Sequence, residues 1–204
     1  MNVTILIVAV TCLISFIAFS NRELMGNLVS YPYRMWRYNE WYRLISHGFI
    51  HADPGHLIFN MIALFSFGDF IERSFENVFE MKGRVLYVIM YFGAIVTADL
   101  WNVFKQKDNP NYSSLGASGG VSAVVFSYIL LNPFGKLYLF FIPIGIPAFI
   151  FGPLYLMYCV YMAKRGGDHI GHTAHFTGSV FGFVFPIIFE PRLFQRFVEL
   201  LFKG

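Results

Sequence analysis

Six apolar stretches constrain this chain more than any other feature. They fall at about 3–19, 55–72, 84–104, 118–133, 147–163 and 172–189, and the segments between them carry nearly all the charged residues. Each run is close to the ~20 predominantly apolar residues that one helix needs to cross the hydrocarbon core of a bilayer. In lipid every backbone polar group needs an internal partner, so runs of this kind must be helices. Only 13% of the 204 residues are charged, about half the roughly 25% of an ordinary soluble domain. Most of the surface must therefore meet something other than water. The 25 Phe and 12 Tyr suit a lipid-facing surface with aromatic belts at the interfaces. The expected architecture is an all-α polytopic membrane protein, with one six-helix membrane domain over residues 1–204.

The connections refine this picture. Residues 20–50, with "YPYRMWRYNEWYRLISH", read as an amphipathic layer lying on the interface and not as a span. The stretch "KLYLFFIPIGIPAFIFGP" is apolar, but its three prolines break a continuous helix, so an extended or re-entrant piece should precede the fifth span. Gly166-Gly167 in "KRGGDHIG" reads as a hinge, so the approach to span five and this loop are the expected lateral gate. The first run lacks the basic start of a secretory signal, and Ser20-Asn21-Arg22 does not read as a cleavage site, so it is taken as a retained span. Cys12 and Cys159 both sit in apolar runs, where packing is the default role of a thiol. The net charge of +3 comes with no basic block, which argues against a nucleic-acid partner. Lys and Arg divide almost evenly between the two faces, so charge does not orient the chain.

With six spans, the second, fourth and sixth all enter from the same face. His56 and Asn60 open span two, Ser118 opens span four, and His175 lies in the first turn of span six. At about 1.5 Å of rise per residue the four groups lie in one shallow layer. Ser118 has a plain alternative as a helix N-cap. His56 and Asn60, spaced i and i+4, have one as polar glue between helices. The remaining histidines cluster nearby: His47 and His51 upstream of His56, His169 and His172 upstream of His175. For His47, His169 and His172, a solvated interfacial residue explains the sequence as well as a role does. Gly178 and Gly182 form a GxxxG face on span six, and Gly119, Ala123 and Ser127 form a small stripe on span four. Small faces let helix backbones approach closely. If these two meet, Ser118 and His175 come within hydrogen-bond reach at the top of the contact.

At this point the chain resembles the rhomboid family of intramembrane serine proteases. Gly116-Ala117-Ser118-Gly119 is similar to the family's nucleophile motif, and Ala174-His175 with Gly178 and Gly182 to its catalytic-histidine helix. "HGFIHADPGHLIFN" resembles the second-span signature, with His56 and Asn60 at its last His and Asn. Glu40 and Arg43 in "EWYR", and Gly68 and Glu72 in span two, match further family positions.

The resemblance implies a Ser118–His175 dyad with no aspartate, no cofactor and no metal. It implies an oxyanion site formed by the backbone N–H of Ser118 with the side chains of His56 and Asn60. It also implies substrates that are transmembrane helices of other proteins, cleaved near one membrane face. The expected location is the inner membrane of a bacterium, with the site near the outer face. Oligomeric state is not encoded. One position departs from the pattern: where much of the family places an aromatic beside the imidazole, this chain has Ser122. Its hydroxyl is expected to bond the ring, or another aromatic to support it. Asp99, the one carboxylate well inside an apolar span, either orients a histidine or, the favoured reading, faces water at the interface.

Two other functions compete. A histidine-rich membrane zinc hydrolase would use three His as ligands, but no H-E-x-x-H motif is present to join the ligands to a glutamate general base. An inactive rhomboid-like protein that binds transmembrane helices would be expected to have lost Ser118 or His175.

Overall fold

The computed structural model describes residues 2–138, 144–166 and 171–203. Six long helices make the bundle, and their numbers below follow chain order with the shorter helices included. The first, α1, covers Val3–Ser20. Three short helices, α2 (Arg22–Leu28), α3 (Pro32–Tyr38) and α4 (Arg43–Ser46), carry the first loop to a single 3-10 turn at His47–Phe49. The hairpin of long helices that follows is α5 (Pro54–Phe79) and α6 (Gly83–Lys105). Next come α7 (Ser118–Leu131), a small antiparallel pair β1 (Lys136–Tyr138) and β2 (Gly145–Pro147), then α8 (Ala148–Arg165), α9 (His172–Phe189) and α10 (Arg192–Lys203). By length and hydropathy α1, the α5–α6 stretch and α9 are long and apolar enough to cross a membrane. The chain is an all-α membrane bundle.

Two departures from the expected spans have simple causes. α5 runs seven residues past its expected end at 72, because Arg73 and Glu76 continue the helix beyond its apolar part. Arg73 pairs there with Asp69 at 3.0 Å, one turn earlier. α10 was not expected, being too short to span. Its sequence "RLFQRFVELLFK" alternates apolar and charged faces, and Phe197 packs edge-on against Phe183 of α9. The proline-rich stretch before span five is extended in its described part, with Leu137 paired to Ile146.

α1 is locked to α5 by a carboxylate. Glu72, buried in α5, accepts the N–H groups of Val3 and Thr4 at 2.9 Å each and the Thr4 hydroxyl at 3.0 Å. These are orphan donors at the positive end of a helix, so the arrangement satisfies them and stabilises the charge together. One turn earlier, Gly68 leaves room for Thr4 and Tyr87; a Cβ there would stand 2.9 Å from the Tyr87 hydroxyl.

α7 lies at the centre, packed by α5, α6, α8, α9 and α10. It is apolar on all sides, as a fully surrounded helix is. The closest approach in the bundle is to α9. A Cβ on Gly178 would strike the Gly119 backbone, and one on Gly182 would strike the backbone of Ala123. The Ser127 hydroxyl donates to the Gly182 carbonyl at 2.7 Å in the same seam. The expected small-residue faces do meet.

Gly182→Val should therefore destabilise the protein by about 1–3 kcal/mol or more, the usual cost of overpacking a tight contact. Gly26→Ala, with nothing within 4 Å of the added carbon, should be close to neutral. Thermal unfolding in detergent checks both, and equal midpoints for the two variants would contradict the seam.

Candidate active site

Ser118 is the first helical residue of α7, and Ala117 occupies the cap position without a side-chain cap bond. The N-cap explanation of Ser118 is thereby removed. The turn before it is built by Gly116, whose φ of +117° suits glycine alone. A Cβ at Gly116 would also stand 2.7 Å from the His56 ring. That glycine lets His56 of α5 lie directly against the turn carrying the serine.

Buried polar groups of the first loop hold this turn. The Gly116 N–H donates to the His47 carbonyl at 3.0 Å, and Ser30 and Ser114 exchange backbone bonds at 2.9 and 3.0 Å. Asp99 of α6 organises the crossing. It accepts the Ser114 hydroxyl at 2.8 Å and the Ser30 hydroxyl, with His47 Nε2 3.8 Å away. Asp99 and His47 are both buried. The water-facing reading of Asp99 and the solvated reading of His47 are corrected, and Asp99 stands beside a histidine as its other reading had it: the end of α6 is roofed by the first loop and the turn before α7. Burial lowers the His47 pKa, and the Asp99 charge opposes that only partly.

Arg43, 1% exposed, anchors the same loop. It donates to the carbonyls of Gly26 and Val29 at 2.8 Å each and to Glu40 at 2.6 Å. Glu40 also receives Arg34 at 2.8 Å, and these bonds, Arg34's first, hold its pKa down at about 2.

His51 was given no role by the sequence, yet it is fully buried and touches two elements. Its Nδ1 lies 3.0 Å from the Ser15 hydroxyl of α1, and that hydroxyl donates onward to the Phe49 carbonyl at 2.9 Å. Its Nε2 receives the Ala117 N–H at 3.4 Å, and its ring meets His56 edge-on at 4.9 Å. The set is consistent with one tautomer, Nδ1 protonated and Nε2 accepting. Burial, then the neighbouring His56, pushes the His51 pKa down to about 3, against a smaller opposing effect of Asp53.

A cavity of about 1050 Å³ opens beside this turn, and Ser118, His175, His56 and Asn60 all line it. The α7–α9 seam explains the first pair. Gly119 touches Gly178, Ser118 is one residue above Gly119, and His175 is one turn above Gly178. Asn60 is buried and donates its amide to the His56 carbonyl at 3.0 Å. The His175 ring is supported by Tyr155 of α8, lying 19° from parallel with centroids 6.5 Å apart, within the range of offset ring pairs. The Tyr155 hydroxyl in turn approaches Ser122. Ser122 thus reaches the imidazole through an aromatic donated by another helix.

His172 is buried rather than solvated, with its ring edge-on to Tyr158 at 5.5 Å and to His175 at 6.1 Å. His169 lies outside the described residues, as do Gly167, Asp168 and Ile170 of the "KRGGDHIG" loop. Among the described residues, the group close enough to share an ion is Cys159, His172 and His175.

A hydroxyl at a helix start and an imidazole one turn into a neighbouring helix thus line one cavity in a membrane bundle. Residues 38–192 match the family model of the Rhomboid domain, and the chain belongs to the rhomboid family. It is 31% identical over 168 residues to RHOMBOID-like protein 12, mitochondrial, of Arabidopsis thaliana, covering 78% of this chain and 49% of that protein. It therefore spans about half the length of that relative. It is 27% identical over 175 residues to Rhomboid protease GlpG of Haemophilus influenzae, covering 84% of this chain and 81% of that one. Putative rhomboid protease YdcA of Bacillus subtilis is 29% identical over 93 residues, 45% of this chain and 42% of its own length.

The buried His51 gives a pH prediction. The unfolded ring takes up a proton near ~6.5, whereas the folded ring resists until about 3. Stability should fall as pH drops below about 6.5, since the unfolded state then binds more protons. His51→Asn should reduce the loss of thermal midpoint between about pH 6.5 and 5. An undiminished loss in the variant would contradict the neutral, bonded His51.

Proposed function

We propose that this protein is an intramembrane serine endopeptidase that hydrolyses peptide bonds in or next to transmembrane helices of other membrane proteins. The observation that carries the reading is the α7–α9 backbone contact, which opens Ser118 and His175 onto one cavity. The relative named a rhomboid protease supports it.

In this mechanism the Ser118 hydroxyl attacks the scissile carbonyl while His175 takes its proton. His175 then returns the proton to the departing amine, and water repeats the sequence on the acyl-enzyme. The oxyanion forms beside the opening turn of α7, where backbone N–H groups and the helix dipole favour negative charge. The Ser118 N–H, His56 and Asn60 are the proposed donors. Tyr155 holds the imidazole plane. No cofactor or metal enters a step. A bacterial inner membrane, with the cavity toward the outer face, belongs to the same proposal. The Haemophilus and Bacillus relatives favour a bacterial setting, while the Arabidopsis relative carries a mitochondrial name.

Cleavage of a reporter transmembrane substrate in liposomes tests the reading. Ser118→Ala and His175→Ala should each abolish it, and EDTA should leave it intact. Chelator-sensitive cleavage restored by zinc would overturn the serine mechanism.

His56→Ala and Asn60→Ala should each lower kcat about 10²–10³-fold, the usual loss of one oxyanion donor, with thermal stability nearly retained. Near-normal turnover in either would return that residue to the role of interhelical glue. Tyr155→Leu should lower kcat with little change in KM, and Tyr155→Phe, which keeps the ring, should restore it. Equal defects in both Tyr155 variants would refute ring support.

A further inference from the structure

α8 and α9 bring together a donor set that the proposed peptidase chemistry does not use as a whole. The Cys159 thiol and one ring nitrogen each of His172 and His175 all lie within 4.8 Å of one another. His172 and His175 are spaced i and i+3, so they share one face of α9. Cys159 approaches from the neighbouring α8. Cys159 and His172 are buried, and His175 opens onto the cavity, which gives an ion its way in.

The chemistry of this set selects the ion. One thiolate and two imidazoles are ligands for zinc, whereas magnesium and calcium require oxygen. Tetrahedral zinc, with Zn–S near ~2.3 Å and Zn–N near ~2.0–2.1 Å, holds its donors roughly 3.3–3.7 Å apart. Contraction from 4.8 Å at most is therefore no more than roughly 1.1–1.5 Å, within the reach of imidazole rotation. Water from the cavity completes the fourth position.

We propose that Cys159, His172 and His175 form a zinc site that switches the enzyme off. The proposal rests on the reading of His175 as the general base. A neutral imidazole has one nitrogen with a free lone pair and one bearing a proton. Whichever nitrogen binds zinc, the ring then has no lone pair left to accept the Ser118 proton. The thiol gives its proton to solvent as the metal binds. The same ion ties α8 to α9, so it arrests both the base and the helix that carries Tyr155.

The test uses the full chain, purified metal-free in detergent, with Co²⁺ as a spectroscopic probe. Native protein should show a thiolate-to-cobalt charge-transfer band and tetrahedral ligand-field bands, both displaced by Zn²⁺. Cys159→Ala and His172→Phe should lose or strongly shift them. Cys12→Ala, which removes the chain's other thiol, should retain them. In the reporter assay zinc should suppress native cleavage and EDTA should restore it. Cys159→Ala should keep its basal rate while its half-inhibitory zinc concentration rises at least about tenfold, as expected when one of three protein ligands is lost.

Absence of a thiolate–cobalt band in native protein, or its persistence in folded Cys159→Ala, overturns the site. A Cys159-dependent band with zinc-insensitive cleavage overturns the switch. The cobalt titration decides the site even if the chain cleaves nothing, so failure of the peptidase reading is distinguishable from failure of the metal site.

Discussion

The contact between the backbones of α7 and α9 governs the arrangement of this protein. Lipid gives helices no hydrophobic reason to associate, so the seam must hold by close packing and interhelical hydrogen bonds. Both are present. Gly178 rests on Gly119, Gly182 rests on Ala123, and the Ser127 hydroxyl donates to the Gly182 carbonyl. A side chain at either glycine would separate the helices, and with them the hydroxyl and the imidazole above the seam. Packing and proposed chemistry therefore depend on the same few atoms.

A second layer of order comes from buried polar groups at the same end of the bundle. Asp99 gathers Ser30, Ser114 and His47, Arg43 gathers two loop carbonyls and Glu40, and His51 joins α1 to the Ala117 amide. Ionisable groups are costly at such depth and persist when their neighbours satisfy them. Here they fix the turn of residues 113–117 from three sides. The geometry of Ser118 is thus fixed by the fold itself, a preorganisation that the proposed peptidase chemistry requires.

Much of this was legible in the sequence because its signals are local or periodic. Apolar run lengths gave the long helices, and glycine spacing gave the faces that meet. The parity of the spans placed His56, Asn60, Ser118 and His175 in one layer, and all four line one cavity. What escaped depends on which way a helix faces. Tyr155 lies on α8, whose apolar residues run all round, so nothing local says that it turns toward His175. Asp99 and His47 read as wet because each is near a span end, and only the packed loop above them excludes water. His51 had no pattern to mark it, since its partners Ser15 and Ala117 are 36 and 66 residues away. α10, a 12-residue amphipathic helix, carries no apolar run of spanning length to mark it.

The central claim is that the α7–α9 seam makes Ser118 nucleophilic through His175. Its most direct test is labelling of the detergent-solubilised protein with a fluorophosphonate, with the adduct mapped by mass spectrometry. The account predicts one adduct, on Ser118, absent from folded His175→Ala protein. An unlabelled native protein, an adduct on a different serine such as Ser122, or Ser118 labelling that survives loss of His175 would contradict it.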